Sequence, residues 1–412
     1  MHTELKLAEA ELSGSTCIRY MTILTVHNYY QQPGGEDQVF AAEADLLESR
    51  GHRVVRYEED NSRITERNAA AAAIDAVWSS KSARALTDLV RSHKPDVVHF
   101  HNTFPLISPS AYYAVRRDGV AVVQTLHNFR LLCPGVTLFR EGAVCEECIE
   151  QRSLRPAMAH KCYRGSLPAT AAVATMLTIH RAAGTWRRKV DLYIAPSEFA
   201  RRKFIEGGLP ARRIAVKSNF VSPDPGMGAG GSYALFVGRL SAEKGVSVMA
   251  SAWRELADIP LVVAGDGPLA ATAWPPGVSW IGSQPRERIR TLMQNARVLI
   301  VPSVCYETGP LTVLEAFASG LPVIASDLGS MAERVAAERT GLLFEPGSAT
   351  DLARKVRWVF GHPEAVDAMR AAAREEYETL YTAERNYQSL IEIYNLAKRN
   401  ARGENSESSV QH

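Results

Sequence analysis

Short apolar runs alternate with stretches of helical periodicity along almost the whole chain. Runs at 22–27, 52–57, 96–101, 120–126, 191–195 and 213–218 read as strands, and helical spacing fills the gaps to about Arg50 and at 63–93, 109–117, 166–189 and 197–206. A second series repeats the pattern, with strands at 233–237, 260–264, 278–281, 298–301, 322–325 and 341–344. Its helices are expected at 286–296, from Pro310 up to Gly320, and at 348–360, 364–379 and 382–399. Regular strand–helix alternation predicts the α/β class, with doubly wound parallel sheets.

Between the two series lies Ser222 to Ser232, rich in proline and glycine, which marks a boundary. The expected organisation is an extension at 1–20, a first domain at 21–218, a linker at 219–232 and a second domain at 233–380. A final helix at 381–399 returns to the first domain, and a polar tail follows at 400–412. Met21 opens the first strand, so translation starting at either Met1 or Met21 fits the pattern. A flexible linker of this kind would let a cleft between the domains close.

Length and composition agree with this picture. A chain of 412 residues suits two domains, and 46% hydrophobic with 22% charged residues is ordinary for a globular protein. A net charge of +2 argues against nucleic acid as the partner. Six cysteines, with neither a leader pattern nor a membrane-length apolar run, point to a cytoplasmic protein with mostly reduced thiols.

Candidate chemistry concentrates where strands end. In the segment from Val301 to Ser326 a strand runs into a loop, then into a helix opened by Pro310 and Leu311 and closed by Gly320 and Pro322. Free N–H groups at that helix start suit a phosphate. Glu315 lies about 6 Å along the axis from Leu311, a span that fits a ribose beyond a diphosphate. Glu307 stands on the loop, on the other side of the phosphates; the bland alternative is a solvated surface loop. Gly34-Gly35 between a strand and a helix lets backbone approach a charged ligand, or simply makes a tight turn. Two strands of the first series end in His101-Asn102 and His127-Asn128, at the sheet edge where such folds bind ligands. Arg239 and Lys244, five apart after a strand, could clamp a diphosphate. Gly265 to Ala270 satisfies a dinucleotide-binding pattern, but Trp274-Pro275-Pro276 forbids the long helix such a site needs.

One block stands apart. Cys133, Cys145, Cys148 and Cys162 fall within an insert at 133–165, with metal-ligand spacing between the middle pair. A small structural zinc site is one reading; reduced thiols or a local disulfide is the other. Basic clusters at Trp186 to Lys189, Arg201 to Lys203 and Arg212-Arg213 are either solvated helix ends or a face for anionic membrane.

Glu307, Glu315 and the following Ala-x-Ala-x-Gly-x-Pro-Val-Ile-Ala resemble the retaining glycosyltransferases of family 4, also called glycosyl transferases group 1. The Gly238-Arg239-Leu240 to Lys244-Gly245 stretch and the Leu132-Cys133-Pro134 block resemble the same family, the latter a bacterial polysaccharide-type subset. The resemblance spans Met21 to about Asn400 and implies a GT-B fold, two Rossmann-like domains facing across a cleft.

It further implies Glu307 beside the donor sugar, Glu315 on the ribose, Arg239 and Lys244 on the phosphates, and His127 reaching the sugar from the opposite domain. Gly34 and Gly35 would lie by the diphosphate, Gly238 and Gly267 beside the nucleotide cleft, and Gly282 where backbone pairs with the base. Gly309, Pro310 and Leu311 would meet sugar and phosphate, and His101 and Asn102 the acceptor side. One departure is Gly309-Pro310 where many members carry Phe-Gly, which rearranges the amides available there. The implied reaction is retaining transfer of a sugar from a nucleotide-diphosphate-sugar donor to a hydroxyl of a glycan or lipid-linked acceptor, with no metal cofactor for the chemistry. Bacterial surface polysaccharide synthesis, on the cytoplasmic face of the inner membrane, is the implied setting. Competing expectations are a phosphorylase or sugar-nucleotide epimerase on the same fold, and a non-catalytic nucleotide-sugar-binding protein.

Overall fold

The computed structural model describes residues 20–31, 34–64, 69–116, 119–271 and 273–403. Most of the expected extension and tail lie outside these residues. Two six-stranded parallel sheets dominate. The first contains β1 (Thr22–Tyr29), β2 (Arg53–Asp60), β3 (Val97–Phe100), β4 (Ala121–Thr125), β7 (Leu192–Ala195) and β8 (Ile214–Val216), in the order β2-β1-β3-β4-β7-β8. The second contains β9 (Ala234–Val237), β10 (Leu261–Ala264), β11 (Val278–Trp280), β12 (Val298–Val301), β13 (Val323–Ser326) and β14 (Gly341–Phe344), in the order β11-β10-β9-β12-β13-β14. The minor pair β5 (Phe139–Arg140) and β6 (Ala143–Val144) forms an antiparallel hairpin inside the cysteine insert. This is the two-domain α/β GT-B architecture.

Strand alternation explains the layering. Leu24, Val26, Val98, Phe100 and Val122 pack into the core on one face of the first sheet. Ile23, Val97, Ala121, Val123, Leu192 and Ile194 pack on the other. That second face is covered by the last helix, Ala383–Arg402, through Tyr387, Leu390, Ile393, Tyr394 and Ala397. Their spacing of three and four residues makes one stripe. The preceding helix, Pro363–Leu380, contributes Ala373 and Tyr377 to the second domain's core. The chain therefore crosses between domains near Tyr381.

Three local differences from the sequence reading have simple causes. The helical stretch 63–93 is divided, because Ser79 caps a new helix, Ser80–His93, by accepting a hydrogen bond from the Ser82 N–H. The stretch 166–189 breaks at Gly184, whose left-handed φ of 64° ends one helix and starts a short second one. Pro310 sits at the N-cap, extended at φ −65° and ψ 115°, so the helix begins at Leu311. The boundary segment is also not loose. A Cβ at Gly231 would lie 1.7 Å from the Asn295 carbonyl oxygen, and one at Gly228 would lie 2.2 Å from that of Gln294. Glycine there lets the segment lie flat on the second domain, where Arg374 also pairs with Asp224 at 2.6 Å.

Candidate active site

Both sheets reverse strand order once, between β1 and β3 and between β9 and β12. Ligands of open α/β sheets bind outside the carboxyl ends of strands at such points. The loops after β9 and β12 are locked together there. Gly245, at φ 70°, brings its backbone so close to the β12 loop that a Cβ would lie 1.8 Å from the Pro302 carbonyl oxygen. Val304 N–H also donates to the Glu243 carbonyl at 2.9 Å. This contact places Lys244 Nζ 2.6 Å from Glu307 Oε1. Ser303 Oγ donates to the same oxygen at 2.9 Å, and Ser330 Oγ holds the Glu307 backbone carbonyl at 2.7 Å. Glu307 Oε2 has no partner among the described residues. Burial works against the Lys244 charge, but Glu307, Cys305 and Glu243 together hold the ammonium above its usual range. Arg239 is exposed on the same loop, with no carboxylate paired to it among the described residues.

The helix Leu311–Ala318 follows, and no side chain caps its N-terminus. Its first N–H groups are open to an anion, and the helix dipole adds about half a positive charge there. Pro310 removes an N–H only at the cap, before those donors begin. Glu315 lies one turn further in, with 21% of its side chain exposed. Burial pushes its carboxyl up to about 7, against the pull of Arg286 and Arg290. Arg286 is 4.0 Å away. Gly238, Gly267 and Gly282 sit on the neighbouring loops, tied by Gly238 N–H to Ala264 O at 3.1 Å, Leu240 N–H to Asp266 O at 2.9 Å and Gly265 N–H to Gly282 O at 2.9 Å.

The first domain meets this loop directly. Thr308 Oγ1 donates to the His127 carbonyl at 2.6 Å, Ser197 Oγ to the Thr308 carbonyl at 2.6 Å, and Asn219 Nδ2 to the Gly309 carbonyl at 2.9 Å. A Cβ at Gly309 would stand 2.6 Å from Pro196 Cβ, so this glycine serves the domain contact. His127 is partly exposed, with Nε2 bonded to His101 Nδ1 at 2.9 Å and Nδ1 unpartnered among the described residues. Burial, with nearby His27, His99 and Lys217, holds its pKa well below the usual value, so the ring is neutral.

Several expected residues lie elsewhere than the cleft surface. His101 is only 3% exposed and sits behind His127. Asn102 is buried too, donating to the Asn28 carbonyl at 2.7 Å and accepting from Phe104 N–H at 3.0 Å. The Asn102 amide is spent on protein, whereas His101 bonds His127 through Nδ1 and leaves Nε2 buried without a hydrogen-bond partner among the described residues. The Gly34 N–H is taken by Asp37 Oδ2 at 2.7 Å, and Asp37 also holds His27 Nε2 at 2.7 Å; Gly35 is open. Trp186 is buried, Arg213 donates to the Arg187 and Val190 carbonyls, and Lys203 pairs with Glu146, so part of the expected basic face is committed internally.

Sequence reasoning missed a buried network beneath His127. Lys217 Nζ lies 2.5 Å from Glu43 Oε1, His101 Nε2 lies 3.7 Å from Glu43 Oε2, and His99 bonds Thr125 Oγ1 and the Tyr394 hydroxyl at 2.8 Å each. Glu43, His99 and His101 have ligand atoms within 4.8 Å of one another. The Lys217 ammonium neutralises that carboxylate through Oε1, while Glu43 Oε2 and His101 Nε2 are buried with no hydrogen-bond partner among the described residues. A charged Lys217 ending an apolar strand was the one signal available.

An uncapped helix start, a lysine–carboxylate pair and a buried carboxylate a turn away, between two facing Rossmann-like domains, define a nucleotide-sugar-dependent transferase. Comparison with known proteins agrees. The model "Glycosyltransferase Family 4" matches residues 33–225 and "Glycosyl transferases group 1" matches 226–376. The chain belongs to this group 1 and family 4 set of GT-B glycosyltransferases, enzymes of hexosyltransferase type. It is 29% identical over 328 residues to 2-deoxystreptamine glucosyltransferase of Streptomyces kanamyceticus, covering 76% of this chain and 80% of that one. It spans only 29%, 31% and 42% of three further curated relatives. Two solved structures share the fold. Sucrose-phosphate synthase of Thermosynechococcus elongatus has TM-score 0.68 at 17% identity, covering 92% of this chain and 98% of that one. Anabaena HepE, solved with UDP-glucose, has TM-score 0.64 at 18% identity, covering 91% and 100%.

Proposed function

We propose that this enzyme is a retaining glycosyltransferase that moves a hexosyl group from a nucleotide-diphosphate-sugar donor to a hydroxyl of a glycan or lipid-linked acceptor in bacterial cell-surface polysaccharide synthesis. The observation that carries the reading is the Lys244–Glu307 pair beside the uncapped start of the helix Leu311–Ala318. Phosphates settle on the helix N–H groups, Lys244 and Arg239, and Glu315 takes the ribose hydroxyls. Glu307 Oε2 is left for a sugar hydroxyl, and His127 approaches from the other domain. The bond from anomeric carbon to phosphate oxygen breaks as the bond to acceptor oxygen forms on the same face. The acceptor proton passes to the departing phosphate. Charge grows on that phosphate, so preorganised cations and amides lower the barrier. A metal cofactor has no part in this scheme.

A place on the cytoplasmic membrane face is supported by exposed Ile74 and Ile179 on two packed helices and by exposed Trp78 just past the end of the first. The helix that carries Ile179 also exposes Leu167. No helix among the described residues is long and apolar enough to cross a membrane. The test is a proton NMR time course of donor hydrolysis. Equal release of nucleoside diphosphate and sugar, with the first-formed sugar in the donor's own anomeric configuration, is expected. An inverted first-formed sugar, dependence on free phosphate or an epimeric sugar nucleotide would overturn the reading.

A further inference from the structure

We propose that Cys133, Cys145, Cys148 and Cys162 hold one structural zinc ion that braces the donor-site loop. The four side chains, separated by up to 29 positions in sequence, line one cavity of about 20 Å³ together with Leu138, Phe139, Arg140, Pro156 and Ala157. That is room for a single small species. All four thiols are free of disulfides. Arg140 lines the same cavity, and its Nη1 is buried without a hydrogen-bond partner among the described residues while Nη2 is spent on Glu147. A guanidinium so placed offsets the surplus negative charge of four thiolates around a dication.

The insert has little regular structure of its own and leans on the first domain's core through Leu138, Cys148, Leu154 and Ala157. Its regular structure amounts to two-residue strands and helices of four and five residues. Val136, Leu138, Glu141, Arg152, Lys161 and Arg164 all take left-handed backbone conformations without being glycine. A cross-link at one end of this stretch would help to offset that unfavourable backbone, and a zinc ion supplies one. The sulfurs are not at bonding separation, since Glu43, His99 and His101 are the one trio of ligand groups mutually within 4.8 Å among the described residues. Closing on an ion at about 2.3 Å draws them inward. Four S–H protons leave as four zinc–sulfur bonds form, with no change of oxidation state. Four protein ligands leave no open position, so the ion is structural.

One path from the insert to the donor site runs through Glu146. Glu146, between the second and third cysteines, pairs with Lys203 Nζ at 2.9 Å. Lys203 lies 5.6 Å over the ring of Tyr306, which also packs on Phe199 at 4.7 Å. Tyr306 precedes Glu307 in the chain. Holding the insert therefore holds the loop that carries the Lys244 partner.

The test is metal analysis of the full chain purified with reductant and without chelator. About one zinc per chain is expected, as four thiolate ligands bind one ion. Thiol titration of the same wild-type protein should show four cysteines protected until chelator is added. Cys145→Ser with Cys148→Ser should lose the zinc, whereas Cys305→Ser should keep it. Zinc-free wild type from zinc-replete cells would overturn the proposal. So would disulfides among the four thiols, or full zinc retention in the double variant. Should the double variant not fold, the two wild-type measurements decide alone.

Discussion

Replacing Glu315 by glutamine removes a charge from a site that resists it. Burial raises this carboxyl from 4.5 to about 7. A rise of roughly 2.5 units corresponds to an upper bound of about 3 kcal/mol held against folding at pH 8, at about 1.4 kcal/mol per unit. The sign follows from proton binding. Between the unfolded and folded values the folded chain holds the extra proton, so stability falls as pH rises through that window. Glutamine abolishes the penalty. The melting temperature of Glu315→Gln should therefore exceed wild type at pH 8, by about 2–4 °C for each kcal/mol recovered in a domain of this size. At pH 5 the folded wild-type carboxyl is protonated and the difference should shrink. Nucleoside diphosphate affinity, measured by calorimetry at pH 8, should fall about tenfold, the low end for a lost hydrogen bond to a charged group. Equal melting shifts at both pH values, or a lower melting temperature at pH 8, would refute the electrostatic reasoning. Unchanged affinity would refute the ribose contact.

Three further outcomes are expected. Lys244→Ala should lower turnover by at least about tenfold, since it removes a cation from the leaving phosphate, as read by nucleoside diphosphate release at saturating donor. Tyr394→Phe leaves His99 Nδ1 without its 2.8 Å partner in a buried site; it should cost about 1–3 kcal/mol of stability in thermal melts while donor affinity stays unchanged. Gly309→Ala drives a Cβ to 2.6 Å from Pro196 Cβ, so it should part the two domains locally; small-angle scattering should show the change, with activity reduced and the second domain still folded.

Most strands were legible because each is a short apolar run between glycine, proline or polar breaks; β12 and β14 fall on 298–301 and 341–344, where the pattern put them. The division at Ser79 was not, because one serine in a polar stretch carries no sign that it caps. The two-domain class and the glycosyltransferase resemblance were also legible, since Glu307 and Glu315 come with about twenty matching positions. Side-chain direction was not. His101 and Asn102 end a strand beside the cleft, yet the pleat and the Glu43, His127 and Asn28 partners turn them inward. The partners that build the site lie far apart in sequence. Lys244 and Glu307 are 63 positions apart, and Glu43 and Lys217 are 174 apart, so neither pairing leaves a local pattern. The helix itself is legible in the sequence, but Pro310 reads as its first residue and stands instead at the cap.

The most direct test of the central claim is nucleoside diphosphate release from a panel of UDP-, GDP-, ADP- and dTDP-sugars, with Glu307→Ala alongside. Slow release from one donor, abolished in the variant, is the predicted result and identifies base and sugar together. Release at the wild-type rate by Glu307→Ala, or neither release nor binding with any donor, would contradict the account.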